Sequence, residues 1–265
     1  MTDLPSDPLP RLRAIMAHLR DPEHGCPWDV EQTFASIAPY TIEEAYEVAD
    51  AIERGDMEEL KGELGDLLFQ SVFHAQMAED AGLFDLDDVA QSIGDKMIAR
   101  HPHVFGSESN QKSADQQVAD WESVKAAERA AKQRGGVLDD VALGLPALMR
   151  AEKLQKRAAR VGFDWPEIGQ VLEKITEEAK ELAEAQDSLP HDKIVEEMGD
   201  LMFVMANLAR HLKVDPETAL RQANAKFVRR FRYIEQELTK RSSSPSESSL
   251  EEMDKLWNDA KGVGL

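Results

Sequence analysis

Apolar residues recur along this chain at spacings of three and four, and glycine and proline fall between the periodic stretches rather than inside them. Runs that alternate with a period of two are scarce. The pattern predicts helices almost throughout. In the first half a helix is expected over about 41–54, stopped by Gly55. Asp56 with Glu59 makes a capping pattern for the next helix, which runs to about Asp80 and ends at Gly82. Leu60, Leu64, Leu67, Leu68 and Val72 give that helix an apolar stripe. Asp85 or Asp88 starts a third helix that stops before Pro102, and a fourth is expected over 114–132. Gly135-Gly136 breaks the chain. Beyond it come a short helix over 147–160, one after Pro166, and one from about Pro190 with Met198, Leu201, Met202, Met205 and Leu208 on a face. Another runs from Asp215-Pro216 to about Lys240. A serine-rich stretch, 242–249, reads as a flexible loop, and a last helix holds Trp257.

The two halves echo each other at a constant offset of 134 positions. Glu44, Glu47, Glu63 and Asp66 return as Glu178, Glu181, Glu197 and Asp200, with gaps of 3, 16 and 3 in both copies. Their neighbours follow: Gly65 and Gly199, Leu67 and Leu201, Phe69 and Phe203. A period this long is too large for a solenoid and reads as duplication of a whole domain. The expected organisation is two helical domains, 1–134 and 135–265, of an all-α protein.

Residues three apart on a helix share a face. The 16-residue gap holds a turn, so paired antiparallel helices can bring four carboxylates together. Such a cluster repels itself and requires a cation. Oxygen-only ligands select Mg²⁺, Mn²⁺ or Ca²⁺. No histidine follows these glutamates at the spacing a di-iron bundle needs, and zinc would want histidine or cysteine. Mg²⁺ keeps waters and favours phosphate co-ligands, so a phosphorylated small molecule is the natural partner. Gly65 and Gly199, mid-helix between ligands, suggest close approach of a helix or ligand. Thr41 and Glu44 also fit a capping box, and for Glu44 alone that reading stands beside the metal one. Glu43, Glu177 and Glu196 taken singly fit a solvated surface.

Charge narrows the partners. The chain has 265 residues and a formal net charge of −20. Such a surface disfavours nucleic-acid polymers. A nucleotide needs a metal and local Lys or Arg to reverse the field. Lys226, Arg229 and Arg230 supply such a group after the second carboxylate set, unless they are a plain surface stripe. The first half has a thinner counterpart, Lys96 and Arg100 before His101-Pro102-His103. Lys153, Lys156, Arg157 and Arg160 form another basic cluster, either near the phosphates or solvated. Trp121 and Trp257 could stack a base or pack as core. The single cysteine, Cys26, excludes an internal disulfide and a thiolate cage. With no leader pattern in 1–10 and no membrane-length apolar run, the expected location is cytoplasmic.

Gly25-Cys26-Pro27-Trp28-Asp29, the paired E-x-x-E and E-x-x-D sets, Gly65-Asp66-Leu67-Leu68-Phe69, His101-Pro102-His103-Val104-Phe105 and Val161-Gly162-Phe163-Asp164-Trp165 together resemble the MazG family of nucleoside triphosphate pyrophosphohydrolases. The resemblance covers nearly the whole chain. It implies two tandem MazG-like repeats whose four-helix units are completed by dimerisation, hence a homodimer. It implies Mg²⁺-dependent hydrolysis of NTPs and dNTPs, non-standard ones included, to monophosphate and pyrophosphate, with Mn²⁺ a possible substitute. It makes the second repeat the catalytic one. Glu178, Glu181, Glu197 and Asp200 would hold the metal, and Glu44, Glu47, Glu63 and Asp66 form a second candidate site. Segments 174–178, 193–197 and 226–230 with Trp257 would contact nucleotide, through Lys174, Glu177, Glu178, Lys193, Glu196, Glu197, Asp200, Lys226, Arg229 and Arg230. A free carboxylate, Glu177 or Glu196, would orient or deprotonate the attacking water. The competing class is a nucleotide-binding sensor that regulates a partner without catalysis.

Overall fold

The computed structural model describes residues 4–106, 113, 116, 136–139 and 141–265. The helix expected over 114–132, with Trp121, and Gly135 lie outside the described residues. Every regular element among those described is helical. The chain divides into two compact units, Met1–Arg129 and Ala130–Leu265.

The first unit contains α1 (Pro8–Leu19), α2 (Pro27–Glu31), α3 (Phe34–Arg54), α4 (Met57–Asp80), α5 (Leu86–Arg100) and α6 (Pro102–Phe105). Its backbone is the α3–α4 pair. The turn between them works because Gly55 adopts φ +69°, a left-handed conformation that costs glycine little. From there its N–H donates to Ile52 O while Asp56 N–H donates to Ala51 O, closing the end of α3. Asp56 then caps α4 by accepting from Glu59 N–H. Helix α1 lies on α4, and Met16, Ile37, Val72, Phe73 and Met77 form the core. Fully burying each such side chain contributes about 1.5–3 kcal/mol. Arg20 pairs with Asp80 at 2.7 Å, tying the end of α1 to α4.

Helix α3 begins seven residues earlier than its periodicity suggests. Thr33 and Ser36 form a reciprocal capping box, and Ile37 is buried. Pro39 sits inside the helix, where it leaves one backbone acceptor without its usual donor. The cap and the buried Ile37 outweigh that loss. Thr41 is therefore two turns inside α3, with its hydroxyl bonded to Ile37 O and His74 Nε2. A capping role for Glu44 is removed. At α5, Asp85 rather than Asp88 is the N-cap, the two bonding reciprocally to each other's backbone.

The second unit contains α7 (Ala147–Arg160), α8 (Ile168–Ser188), α9 (His191–His211), α10 (Pro216–Lys240), a 3₁₀ turn (Pro245–Glu247) and α11 (Leu250–Gly262). The α8–α9 pair repeats α3–α4, and α7 packs on α9. Asp215 caps α10 by accepting from Thr218 N–H. Helices α10 and α11 enclose Ile234, Leu238 and Leu256, with Phe231, Met253 and Trp257 against them. The serine-rich stretch is a bonded turn rather than an open loop: Ser248 donates to Ser244 O, and Ser244 to Glu247.

The apolar stripes meet a different fate from the one their spacing suggests. Val72 is core, but Leu64 and Leu68 on α4 and Met198, Met202 and Met205 on α9 stay about half exposed. Periodicity identifies an apolar face, and the described residues of each unit do not cover it.

Candidate metal centres

Helix pairing converts the sequence spacing into two clusters. Glu44 from α3 meets Glu63 and Asp66 from α4, and Glu178 from α8 meets Glu197 and Asp200 from α9. In each set one carboxylate oxygen per residue lies within 4.8 Å of the others. Oxygens sharing one Mg²⁺ at about 2.0–2.1 Å sit somewhat closer than that, within reach of small rotamer changes. Hard-oxygen donors with no histidine or sulfur suit Mg²⁺ or Mn²⁺. Glu47 and Glu181 stand beside these triads without joining them.

The electrostatics agree with an unmet demand for positive charge. Burial, then Asp66 and Glu47, pushes the Glu44 carboxyl above the ordinary glutamate range. Glu63 is raised by desolvation, then by Glu47 and Asp66. Glu181 is raised by desolvation first and by Glu178 next, against a lowering from Lys174.

The two centres differ in their cations. Lys174 Nζ lies 2.7 Å from Glu178, which is only 5 % exposed, and 2.8 Å from Glu177. Those carboxylates hold the Lys174 ammonium above its ordinary range. Lys193 pairs with Glu196 at 2.5 Å. Glu177 and Glu196 are thus not free carboxylates: each holds a lysine one turn earlier on its helix. At the matching positions the first unit carries Tyr40 and Glu59, and Asp95 stands opposite Arg229. The first triad keeps the carboxylates and, at Lys96, a match for Arg230, but not the counterparts of Lys174, Lys193 and Arg229.

Lys226 and Arg229 project exposed from α10 and make no ion pair among the described residues. Arg230 lies over the Trp257 ring, 5.3 Å from its centroid, and its Nε donates to Leu265 O. Trp257 also packs 5.3 Å from Phe227. In the other basic cluster, Arg157 donates to Asp139 O, while Lys153 and Lys156 are exposed. Nothing lies within 4 Å of a Cβ built at Gly65 or Gly199, so among the described residues no helix approaches there.

Periodicity gives no signal for Asp164. Arg210 and His211 from α9 bind its Oδ1, the His211 contact at 3.3 Å. Burial pushes this carboxyl up, but Arg210 and His211 outweigh it and hold it below the usual range. The clamp fixes the 162–165 segment against α9. Asn207, buried on α9, is another residue that sequence patterning overlooks, although a polar residue in an apolar stripe is the available signal.

Tandem antiparallel helix pairs, each bringing three carboxylates together, define an all-α protein with duplicated acidic clusters that could hold a metal ion. The MazG nucleotide pyrophosphohydrolase domain matches residues 32–105 and 168–234, both carboxylate helix pairs, and the chain belongs to that family. It is 53% identical over 253 residues to the nucleoside triphosphate pyrophosphohydrolase of Escherichia coli strain K12, covering 95% of this chain and 96% of that one. It is 45% identical to the nucleoside triphosphate pyrophosphohydrolase/pyrophosphatase MazG of Thermotoga maritima, covering 95% and 94%. It is also 46% identical to YabN of Bacillus subtilis, an uncharacterized protein by its name, across 94% of this chain and 50% of that one.

Proposed function

We propose that the second unit hydrolyses nucleoside triphosphates, NTPs and dNTPs including non-standard ones, between the α and β phosphates, releasing monophosphate and pyrophosphate with Mg²⁺ as cofactor and Mn²⁺ as its substitute. The observation that carries this is the Glu178, Glu197 and Asp200 triad flanked by Lys174 and Lys193, in a chain of this family. Glu181, one turn along α8 and beside the triad, is the fourth carboxylate that would reach the metal. Mg²⁺ bound there supplies Lewis-acid polarisation of the phosphates and a lowered pKa for water.

The chain's own groups do the rest. Lys174 and Lys193 leave their carboxylates for the incoming phosphate oxygens. That frees Glu177 or Glu196 to orient the attacking water and accept its proton. The water oxygen bonds to the α phosphorus, the bond to the bridging oxygen breaks, and pyrophosphate leaves with the electron pair. Lys226, Arg229 and Arg230 neutralise the charge that develops on it, with Trp257 holding Arg230 in place. Phosphorus NMR of dNTPs incubated with the chain and Mg²⁺ is expected to show monophosphate and pyrophosphate in equal amounts, and none after chelation. Release of inorganic phosphate instead would refute the bond assignment.

For the first unit a second reading is favoured. It keeps Glu44, Glu47, Glu63 and Asp66 but has Tyr40, Glu59 and Asp95 where the second unit has Lys174, Lys193 and Arg229. We infer a metal or nucleotide sensor there rather than a second catalyst. The half-exposed apolar faces of α4 and α9 run beside the carboxylates, and pairing of two copies would bury them in four-helix units. Sedimentation at micromolar concentration is expected to give a homodimer; a monomer would remove this part. Among the described residues no helix is long and apolar enough to cross a membrane. The activity belongs in the cytoplasm, with the nucleotide pool, and the net charge of −20 argues against a nucleic-acid polymer as partner.

A further inference from the structure

The offset that superposes the repeats sets Phe73 of α4 against Asn207 of α9. Both are 2 % exposed, but they do opposite things. In the first unit the Phe73 ring fills the space beside α1, in edge contact with Trp28 and Phe69 and under the Arg20 guanidinium. In the second unit the shorter Asn207 borders a cavity of about 450 Å³. Its walls include Leu154 and Gln155 of α7, Phe163 and Trp165 of the following segment, and Phe203 and Asn207 of α9. That volume lies in the range of roughly 300–1,000 Å³ typical of small-ligand pockets.

Two buried amides border a largely apolar space, and neither is fully used. Gln155 Nε2 donates to Phe203 O at 2.7 Å, but Gln155 Oε1 accepts nothing. Asn207 Oδ1 accepts from Arg210 Nε at 2.9 Å, while no acceptor among the described residues takes its Nδ2. One spare acceptor and one spare donor between aromatic walls match the edge of a planar ring that carries both N–H and ring nitrogen or carbonyl groups.

Position supplies the second half of the argument. Asp200 and Asn207 are two turns apart on the same face of α9, about 10 Å along its axis. The sugar and α phosphate of a nucleotide span a comparable distance between base and polyphosphate. The Asp164 clamp to Arg210 and His211 holds the pocket wall against the helix that carries the metal ligands.

We infer that this cavity receives the base of the nucleoside triphosphate whose phosphates the second-unit carboxylates hold, an inference that rests on the function proposed above. Asn207 and Gln155 read the base edge, and Phe163 and Trp165 cover its faces. In the first unit Phe73 stands where Asn207 borders this cavity, so that unit takes phosphate and metal without reading a base.

The test is calorimetric titration of the full chain with Mg²⁺ and α,β-methylene dNTPs, and separately with inorganic tripolyphosphate. Glu63→Ala is included to silence the first triad. Asn207→Phe copies the first unit and is expected to weaken the methylene dNTPs by at least about tenfold, leaving tripolyphosphate within about twofold. Phe163→Ala, at an exposed rim position, is expected to weaken them in the same selective way without threatening the fold, which a thermal melt checks. The inference is overturned if Phe163→Ala and a folded Asn207→Phe leave dNTP affinity unchanged. It is equally overturned if they weaken tripolyphosphate as much as the nucleotides. Wild-type protein that binds the analogues selectively but releases no pyrophosphate from dNTPs would sink the catalytic reading alone. Failure to bind any of these ligands would sink both.

Discussion

Glu197→Ala is expected to lower pyrophosphate release from dNTPs by at least about 10²–10³-fold, the scale on which single preorganised electrostatic groups act in catalysis. The reason is geometric. The second centre has three carboxylates that converge, and two of them, Glu197 and Asp200, project from one turn of α9. Removing one would leave the metal a single α9 carboxylate, the outlying Glu181, and Glu178, whose oxygen is already shared with Lys174 at 2.7 Å. Asp200→Ala should match it. Glu181→Ala should fall short of both, because that side chain stands outside the triad. Glu63→Ala, the equivalent change in the first unit, is expected to leave kcat/KM nearly unchanged. A continuous pyrophosphate assay decides the matter. Glu197→Ala activity above a tenth of wild type, or loss of activity in Glu63→Ala, would reverse the assignment of roles between the repeats.

The carboxylate clusters behind this prediction are legible in the sequence, because they depend on local rules. A 3, 16, 3 spacing interrupted by Gly55-Asp56 reads as two helices meeting at a turn, and the Gly55 φ of +69° is what that reading requires. The start of α3 is not legible in the same way: Pro39 argues against helix, and only the Thr33–Ser36 box with Ile37 burial overrules it. Nor does periodicity say what covers Leu64, Leu68, Met198 and Met202. A stripe shows which face avoids water, and the neighbour that covers it is a property of the assembly. The pairing of Lys174 with Glu178, and the exchange of Phe73 for Asn207, gain meaning only from helix packing, which decides what each position faces. These two contrasts, more than the shared carboxylates, separate the repeats.

Glu63→Gln is expected to remove metal binding from the first unit and yet raise the thermal stability of the metal-free protein at pH 7. Glu44 and Glu63 both have carboxyls pushed above the ordinary value of 4.5, by burial first and then by carboxylate neighbours. A raised folded-state pKa means the native chain binds more protons than the unfolded one in the window just above 4.5. Stability therefore rises as pH falls through that window and is lowest above it. Asp21, Asp85 and Asp164 act oppositely, with carboxyls held below 3.8. Their contribution is complete above 3.8 and is lost only on further acidification. Between pH 7 and about 5 two trends oppose each other. The raised glutamates favour the fold as the pH is lowered, while His74, whose imidazole is held below its ordinary value of 6.5 by burial, disfavours it. The contribution of the triad is therefore read as the difference between wild type and Glu63→Gln, which should shift towards wild type on acidification. Mg²⁺ should achieve the same relief at pH 7 by mass action, about 2.7 kcal/mol at a hundredfold excess over its dissociation constant. Glu63→Gln removes one of the repelling charges, so it should blunt the response to acid and to Mg²⁺ together. Differential scanning calorimetry over this pH range, with and without chelator, measures all three effects. A difference between the wild-type and Glu63→Gln melting temperatures that does not shift towards wild type between pH 7 and 5, or a Glu63→Gln protein less stable than wild type at pH 7, would mean that the first triad is satisfied by contacts other than a cation.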